Sequence, residues 1–241
     1  GTMSGSGTTR ALGGLTVNGG YWNRDHYLVG RTLVNESSAT INDYYLQARD
    51  GALIRNAVGA TWEFTGDAEI RQDGGAESTF VNEGTLKKSG GDGWANLSLA
   101  FTNAGLVEVS SGGLSVNRGG TSSSVSSITV TSTALGGVGL NGGFDLELGS
   151  SLSQVGAGRV YLSNVDVHGT YSASATQTQG GTTTFHDDAT VLALGSALAL
   201  NQGDLVLETM SGTSSVSSLS VYASTLTLPE GASWTIESLN L

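Results

Sequence analysis

"FVNEGTLKKSGGDGWANLSLAFTNAGLVEVSSGGLSV", residues 80–116, holds one phrase twice: Phe80-Val81-Asn82-Glu83-Gly84-Thr85-Leu86, then Phe101-Thr102-Asn103-Ala104-Gly105-Leu106-Val107. Counting from the apolar residue two places before each asparagine, the phrase also starts at Leu33 (Asn35) and Ile54 (Asn56), with spacings of 21, 26 and 21 (54 minus 33, 80 minus 54, 101 minus 80). A unit this short cannot bury a core alone and must stack on copies of itself. Inside a unit the apolar residues alternate: Val107 and Val109 flank Glu108, and Leu114 and Val116 flank Ser115. Period two means strands with one buried face, and the Gly, Asn and Ser between them suit sharp corners. The expected fold is all-β: a β-solenoid of about ten coils of 21–26 residues, each with three short strands, stacked at ~4.8 Å.

The repeated phrase is therefore a corner. Backbone groups pair with the coils above and below, so one corner recurs at one place in the ring. Phe80 and Phe101 are expected to stack in the core. Asn35, Asn56, Asn82 and Asn103 are expected in a left-handed conformation with their amides bonded along the stack, and Gly84 and Gly105 complete the turn. After residue 119 the wording changes. Leu146-Glu147-Leu148-Gly149-Ser150-Ser151-Leu152 returns as Leu192-Ala193-Leu194-Gly195-Ser196-Ala197-Leu198, and Thr121 to Val130 returns as Gly212 to Val221. The offsets of 46 (192 minus 146) and 91 (212 minus 121) are about two and four units. Asn42 to Ala57 suits a strand better than the short helix its apolar spacing also permits.

Composition agrees. With 37 glycines, one proline, no cysteine and 38% hydrophobic residues in 241, the chain is neither collagen-like nor disordered. A net charge of −11 with only ten Lys and Arg argues against nucleic acid and anionic membranes as partners. No apolar run approaches the ~20 residues of a membrane span. The opening Gly1-Thr2-Met3-Ser4-Gly5-Ser6-Gly7 reads as a linker or cloning remnant. Residues 1–10 are accordingly placed outside a single domain, 11–241, of which 11–30 is a candidate cap. The chain ends at Trp234 to Leu241 still in strand rhythm, which suggests a piece of a longer protein.

Residues 30–116, with units of the type "F-x-N-x-G-T-x-x-K-S" and "F-x-N-x-G-x-V-E-V-x-S-G-x-L", resemble the repeat-bearing segments of very large bacterial surface and secreted proteins. The resemblance departs at Ser37, where glycine is expected after Asn35, and at Val58 after Asn56. It implies a right-handed parallel β-helix that serves as an adhesin stalk or polysaccharide-associated module outside the cell, and it brings no catalytic residues. Implied partners are a cell-surface glycan or protein, or other copies through the solenoid ends.

Candidate sites are few. Tyr21-Trp22-Asn23-Arg24-Asp25-His26-Tyr27 is the densest aromatic and polar cluster. Of these, Tyr21, Trp22, Asn23, Arg24 and Tyr27 are the side chains a sugar ring would use, against the alternative that the cluster covers the first coil's open edge. Trp62, Trp94 and Trp234 are expected in the core or at corners. No cofactor is expected. Calcium is the one ion in view, at Asp145 and Glu147, which would share an outward face; His186 and Asp188 form a second weak metal or acid/base pair. Lys87, Lys88 and Arg71 are a thin basis for a β-helical polysaccharide lyase or hydrolase. The pairs Thr129/Thr131, Thr176/Thr178 and Thr225/Thr227 could make an ice-binding face only if they lay on one flat side.

Overall fold

The computed structural model describes residues 1–18, 25–132, 136–208 and 214–241. It is an all-β parallel solenoid of about ten coils, with no helix among the described residues. Thr32–Asn35, Ser38–Ile41 and Tyr45–Arg49 are followed one coil later by Leu53–Asn56, Thr61–Phe64 and Glu69–Gln72. Each strand pairs in parallel with its counterpart in the next coil. Asn42 to Ala57 is thus strand and turn. Among the described residues, hydrogen bonds join the strands into a sheet of nineteen, which wraps two sides of the coil, and a sheet of nine, which forms the third.

The corner between the first two sides changes along the rod. Early coils break there; Gly137–Leu146, Arg159–Val167, Ala175–Phe185 and Ala197–Leu207 run through it as single strands. These bend at left-handed residues: Gly142 and Gly143, Asn164, Gly180 and Gly181, and Gln202. One or two left-handed residues turn the chain through the corner while ladder pairing resumes on both sides of it.

The asparagines occupy one ring position. The register runs Ala11, Asn35, Asn56, Asn82, Asn103, Ser122, Leu146, Val167, Phe185, Leu207. All four asparagines are fully buried, and each Nδ2 donates to the next Oδ1 at 2.8 Å: Asn35 to Asn56, Asn56 to Asn82, Asn82 to Asn103. The row ends as Asn103 Nδ2 donates to Ser122 Oγ at 3.1 Å. Each amide of the first three also donates to a backbone carbonyl of the following coil, Thr61, Thr85 or Leu106. The expected left-handed conformation is corrected, since none of the four has a positive φ. They end strands in extended backbone, and their side chains point inward.

Gly84 and Gly105 are needed for a different reason than expected. Neither has a positive φ, but a Cβ at Gly84 would overlap the Ala60 and Ala57 carbonyl oxygens, and one at Gly105 the Gly84 carbonyl oxygen. Close stacking of one coil on the last, not backbone rotation, excludes a side chain. Beside the amide row lies an aromatic one. Trp62 meets Phe80 edge-on at 5.4 Å, Phe80 meets Phe101 at 6.0 Å, and Phe101 stacks on Phe144 at 6.4 Å between ring centroids. Phe101 and Phe144 are separated in the ladder by Gly120, whose bare Cα lets the rings meet across it.

Three further expectations are corrected. Coils are 18 to 26 residues (185 minus 167, 82 minus 56) rather than 21–26. The long-offset repeats are not ring equivalents: Leu152 aligns with Tyr171 and then Val191, not Leu198, and Ser127–Val130 lies on the third side while Ser214–Tyr222 lies on the first. A short Ser-and-apolar alternation fits any side, so it carries no register. Residues 1–10 are not outside the solenoid. Thr2–Ser4 pairs with Tyr27–Val29 and Thr8–Ala11 with Thr32–Asn35, so they form the first coil with Leu15–Val17; the candidate cap, 11–30, includes residues 19–24, which lie outside the described residues.

Candidate functional site

The chemistry sits on outward positions. Tyr21, Trp22, Asn23 and Arg24 lie outside the described residues. Tyr27 is a half-buried strand residue whose ring carries the Arg49 guanidinium 6.0 Å from its centroid, so one aromatic face is engaged within the chain. The basic side chains named as a lyase basis are likewise engaged. Arg71 lies 4.8 Å over the Tyr45 ring, and Lys87 is 4.0 Å from Glu63. Lys88 points into the core between Phe64 and Val109, fully buried, where its ammonium donates to Asp67 Oδ1 at 3.0 Å and to the Gly90 carbonyl.

The metal candidates are rearranged. His186 and Asp188 do not pair with each other directly: residues 186–189 form a turn closed by the Ala189 N–H donating to the His186 carbonyl, where the alternation of a strand does not apply. His186 instead sets Nε2 at 3.1 Å from Asp166 Oδ1 and Nδ1 at 3.2 Å from Glu208 Oε2, while Asp188 takes His168 Nδ1 at 2.7 Å. The two imidazoles stack with centroids 4.1 Å apart and planes 2° from parallel. Burial lowers the His186 pKa, but hydrogen bonds and charges from Asp166 and Glu208 outweigh it and hold it above the ordinary 6.5. Both ring nitrogens face carboxylates, which fits the doubly protonated ring.

Asp145 stands one strand before Asp166 in the same outward row. Burial raises its pKa, and one of its oxygens is buried without a hydrogen-bond partner. Glu147 lies past the end of the strand that carries Asp145, in a turn that its own carbonyl closes by accepting from the Ser150 N–H. Among the described residues no group of three or more His, Asp or Glu side chains is arranged to hold a metal ion. The cluster is a histidine–carboxylate ladder built from adjacent coils, and spacing along the chain cannot reveal it.

The threonine pairs do not make one face. Thr176 and Thr178 are buried, donating to the Leu194 and Gly203 carbonyls, whereas Thr129 lies outward on the third side beside Ser153. Trp62 is core, but Trp94 is not. It opens the strand Trp94–Ser98, in which Ala95 and Leu97 point inward, so Trp94 and Asn96 point outward. The W-A-N-L alternation carried that signal. Trp94 leans along the rod to meet Tyr161, with ring centroids 5.5 Å apart and planes at 72°. Beside the rings lies a row of uncharged polar residues. Asn141 Nδ2 donates to Ser115 Oγ and Asn117 Oδ1, both at 3.2 Å, and Asn117 Nδ2 donates to Asn96 Oδ1 at 3.3 Å.

Comparison of the chain with protein-family models, with curated proteins and with solved structures gave no match.

Proposed function

We propose that this chain is a structural and adhesive rod of an exported bacterial surface protein, which spaces and displays ligand-binding surfaces outside the cell. The observation that carries the reading is the use of the interior. The amide row, the aromatic row and the in-register ladders tie each coil to the next, so that about ten coils at ~4.8 Å give a rod of ~50 Å. A net charge of −11 and a Ser/Thr-rich exterior suit a solvated stalk. Two tests apply. An antibody raised against the chain should label intact, unpermeabilised producing cells; label seen only after lysis would overturn the location. The immobilised chain should show saturable binding to at least one class of polysaccharide, matrix protein or cell, and silence towards all three would overturn the adhesive role.

One observation favours a second reading, a polysaccharide-cleaving enzyme. Asp145, with its raised pKa, and the Asp166 and Glu208 carboxylates that hold His186 place acid and base groups on one outward strip. Cleavage of uronate or neutral polysaccharides by the native chain, lost in both Asp145→Asn and His186→Gln, would establish it.

A further inference from the structure

We infer that the outward groove beside the Trp94–Tyr161 pair is a binding site for an uncharged carbohydrate chain. The inference goes beyond the display role, and does not require it.

The argument begins with glycine. Three atoms of the indole, Cδ2, Cε3 and Cε2, lie 2.5 to 2.7 Å from where a Cβ on Gly113 would stand. Their near-equal distances mean that the Trp94 ring lies face-down on Gly113, with its other face turned outward. Gly113, Gly137 and Arg159 follow Trp94 in the ladder, so Tyr161 stands three coils further on, ~14 Å along the axis by strand spacing. The rings nonetheless meet at 5.5 Å, at 72°. The indole is therefore a floor and the phenol a wall.

Gly139 makes the stronger case. Unlike Gly137, whose φ is +143° and whose Cβ would overlap the Arg159 carbonyl, Gly139 has no positive φ. A Cβ there would meet Ser115 Oγ at 3.0 Å and Asn141 Nδ2 at 3.4 Å, the far ends of two side chains and no backbone. Its backbone conformation does not require glycine. What the missing side chain leaves is depth: an open groove of about 340 Å³ beside Trp94, Asn96, Asn141 and Tyr161. That is near the lower end of the ~300–1,000 Å³ of small-molecule sites.

The chemistry of the lining selects the ligand. None of the residues lining the groove is charged, on a chain of net charge −11. Uncharged amides and hydroxyls neither form an ion pair with a charged ligand nor repel a neutral one. The amides are held by one another: besides the bonds among Asn96, Asn117 and Asn141, Ser115 Oγ donates to Asn117 Oδ1 at 2.6 Å, and Asn117 Nδ2 to Ser98 Oγ at 3.2 Å. Side chains fixed in this way lose little freedom on binding. A pyranose offers an apolar C–H face for the indole and a rim of hydroxyls for amides that both donate and accept. The polar row repeats once per coil along the rod, a spacing close to the length of a sugar ring, which fits an oligosaccharide laid along the axis.

The test is isothermal titration and affinity electrophoresis of the full chain with neutral cello-, xylo-, manno- and chito-oligosaccharides, and with oligogalacturonate as the charged comparison. Trp94→Ala and Gly139→Val are run beside it. Gly139→Val fills the groove from a strand position that favours β-branched residues, so it separates site loss from unfolding. Binding of at least one neutral series, weakened tenfold or more in both variants with unchanged far-UV spectra and melting, is the expected result. Failure of every neutral series, binding of the uronate alone, or neutral binding unaffected by Gly139→Val would each overturn the assignment. A rod that binds no sugar would still stand as a stalk, so the two readings fail separately.

Discussion

Substituting Asn82 with leucine isolates the value of the buried amide row. Asn82 gives two hydrogen bonds, to Asn103 Oδ1 at 2.8 Å and the Leu106 carbonyl at 3.0 Å, and accepts one from Asn56 Nδ2 at 2.8 Å. Leucine is close in volume and already occupies this ring position at Leu146 and Leu207, so cavity and strain terms stay small. Three lost bonds at ~1 kcal/mol each, plus part of the cost of leaving the Leu106 carbonyl without its amide, amount to about 3–4 kcal/mol. Asn56 keeps its bond to the Thr85 carbonyl and Asn103 Oδ1 keeps the Gly105 N–H, which bounds the loss. The assay is urea unfolding by far-UV circular dichroism. Because solenoids can unfold coil by coil, it is paired with hydrogen exchange of Thr85–Lys88 and Leu106–Val109. Asn56→Leu combined with Asn82→Leu should cost ~1 kcal/mol less than the two singles summed, since they share one bond. A single-site loss below ~1 kcal/mol, or strict additivity, would refute the cooperative row.

Other outcomes follow from the same geometry. Lys88→Met should be neutral or stabilising, because Phe64 and Val109 flank it, whereas Asp67→Ala strands the buried ammonium. That loss should be about 3 kcal/mol, at the low end for a buried pair since Asp67 is partly exposed; equal unfolding midpoints for the two variants would contradict it. Gly105→Ala should cost more than ~1 kcal/mol by meeting the Gly84 carbonyl, whereas Gly143→Ala, with nothing near its Cβ, meets only backbone strain; a larger loss at Gly143 would show that stacking is not the constraint. His186 has a raised folded pKa, so its stabilisation is complete below its unfolded value near 6.5 and is lost as pH rises through the folded one. Asp145, also raised, acts in the same direction but from its own unfolded value of 3.8 upward, so the step above pH 6.5 is that of His186. Melting temperature should therefore fall from about pH 6.5 upward, and His186→Gln should flatten that slope; a slope unchanged in the variant would remove His186 as its source.

The first half of the solenoid was legible because its ladder is written in distinctive letters. An asparagine at the end of a strand, two residues after an aromatic or aliphatic one, marks one ring position, and the spacings of Asn35, Asn56, Asn82 and Asn103 are coil lengths. In the second half the same position holds Leu146, Val167, Phe185 and Leu207, which resemble every other inward residue. Strand character remained visible there but register did not, and so the 46- and 91-residue echoes misled. Residues 1–10 were lost for a related reason. Glycine and serine read as linker when alone, yet pair as strand once a second coil offers them a ladder.

What the amino-acid sequence determined by itself is the fold class, since period two and a short repeat follow from local chemistry. Only the tertiary structure decided the surfaces. Trp94 and Tyr161 are 67 residues apart (161 minus 94) and three coils apart, and they touch because the indole leans along the rod over the side-chain-free Gly113 on the same outward side. His168, His186, Asp166 and Glu208 converge because coils of unequal length bring the same corner around. In a solenoid, neighbours across the surface are set by register between coils. Register is fixed by which inward residues meet and which glycines admit a close carbonyl, and both are properties of the stacked chain rather than of any one segment.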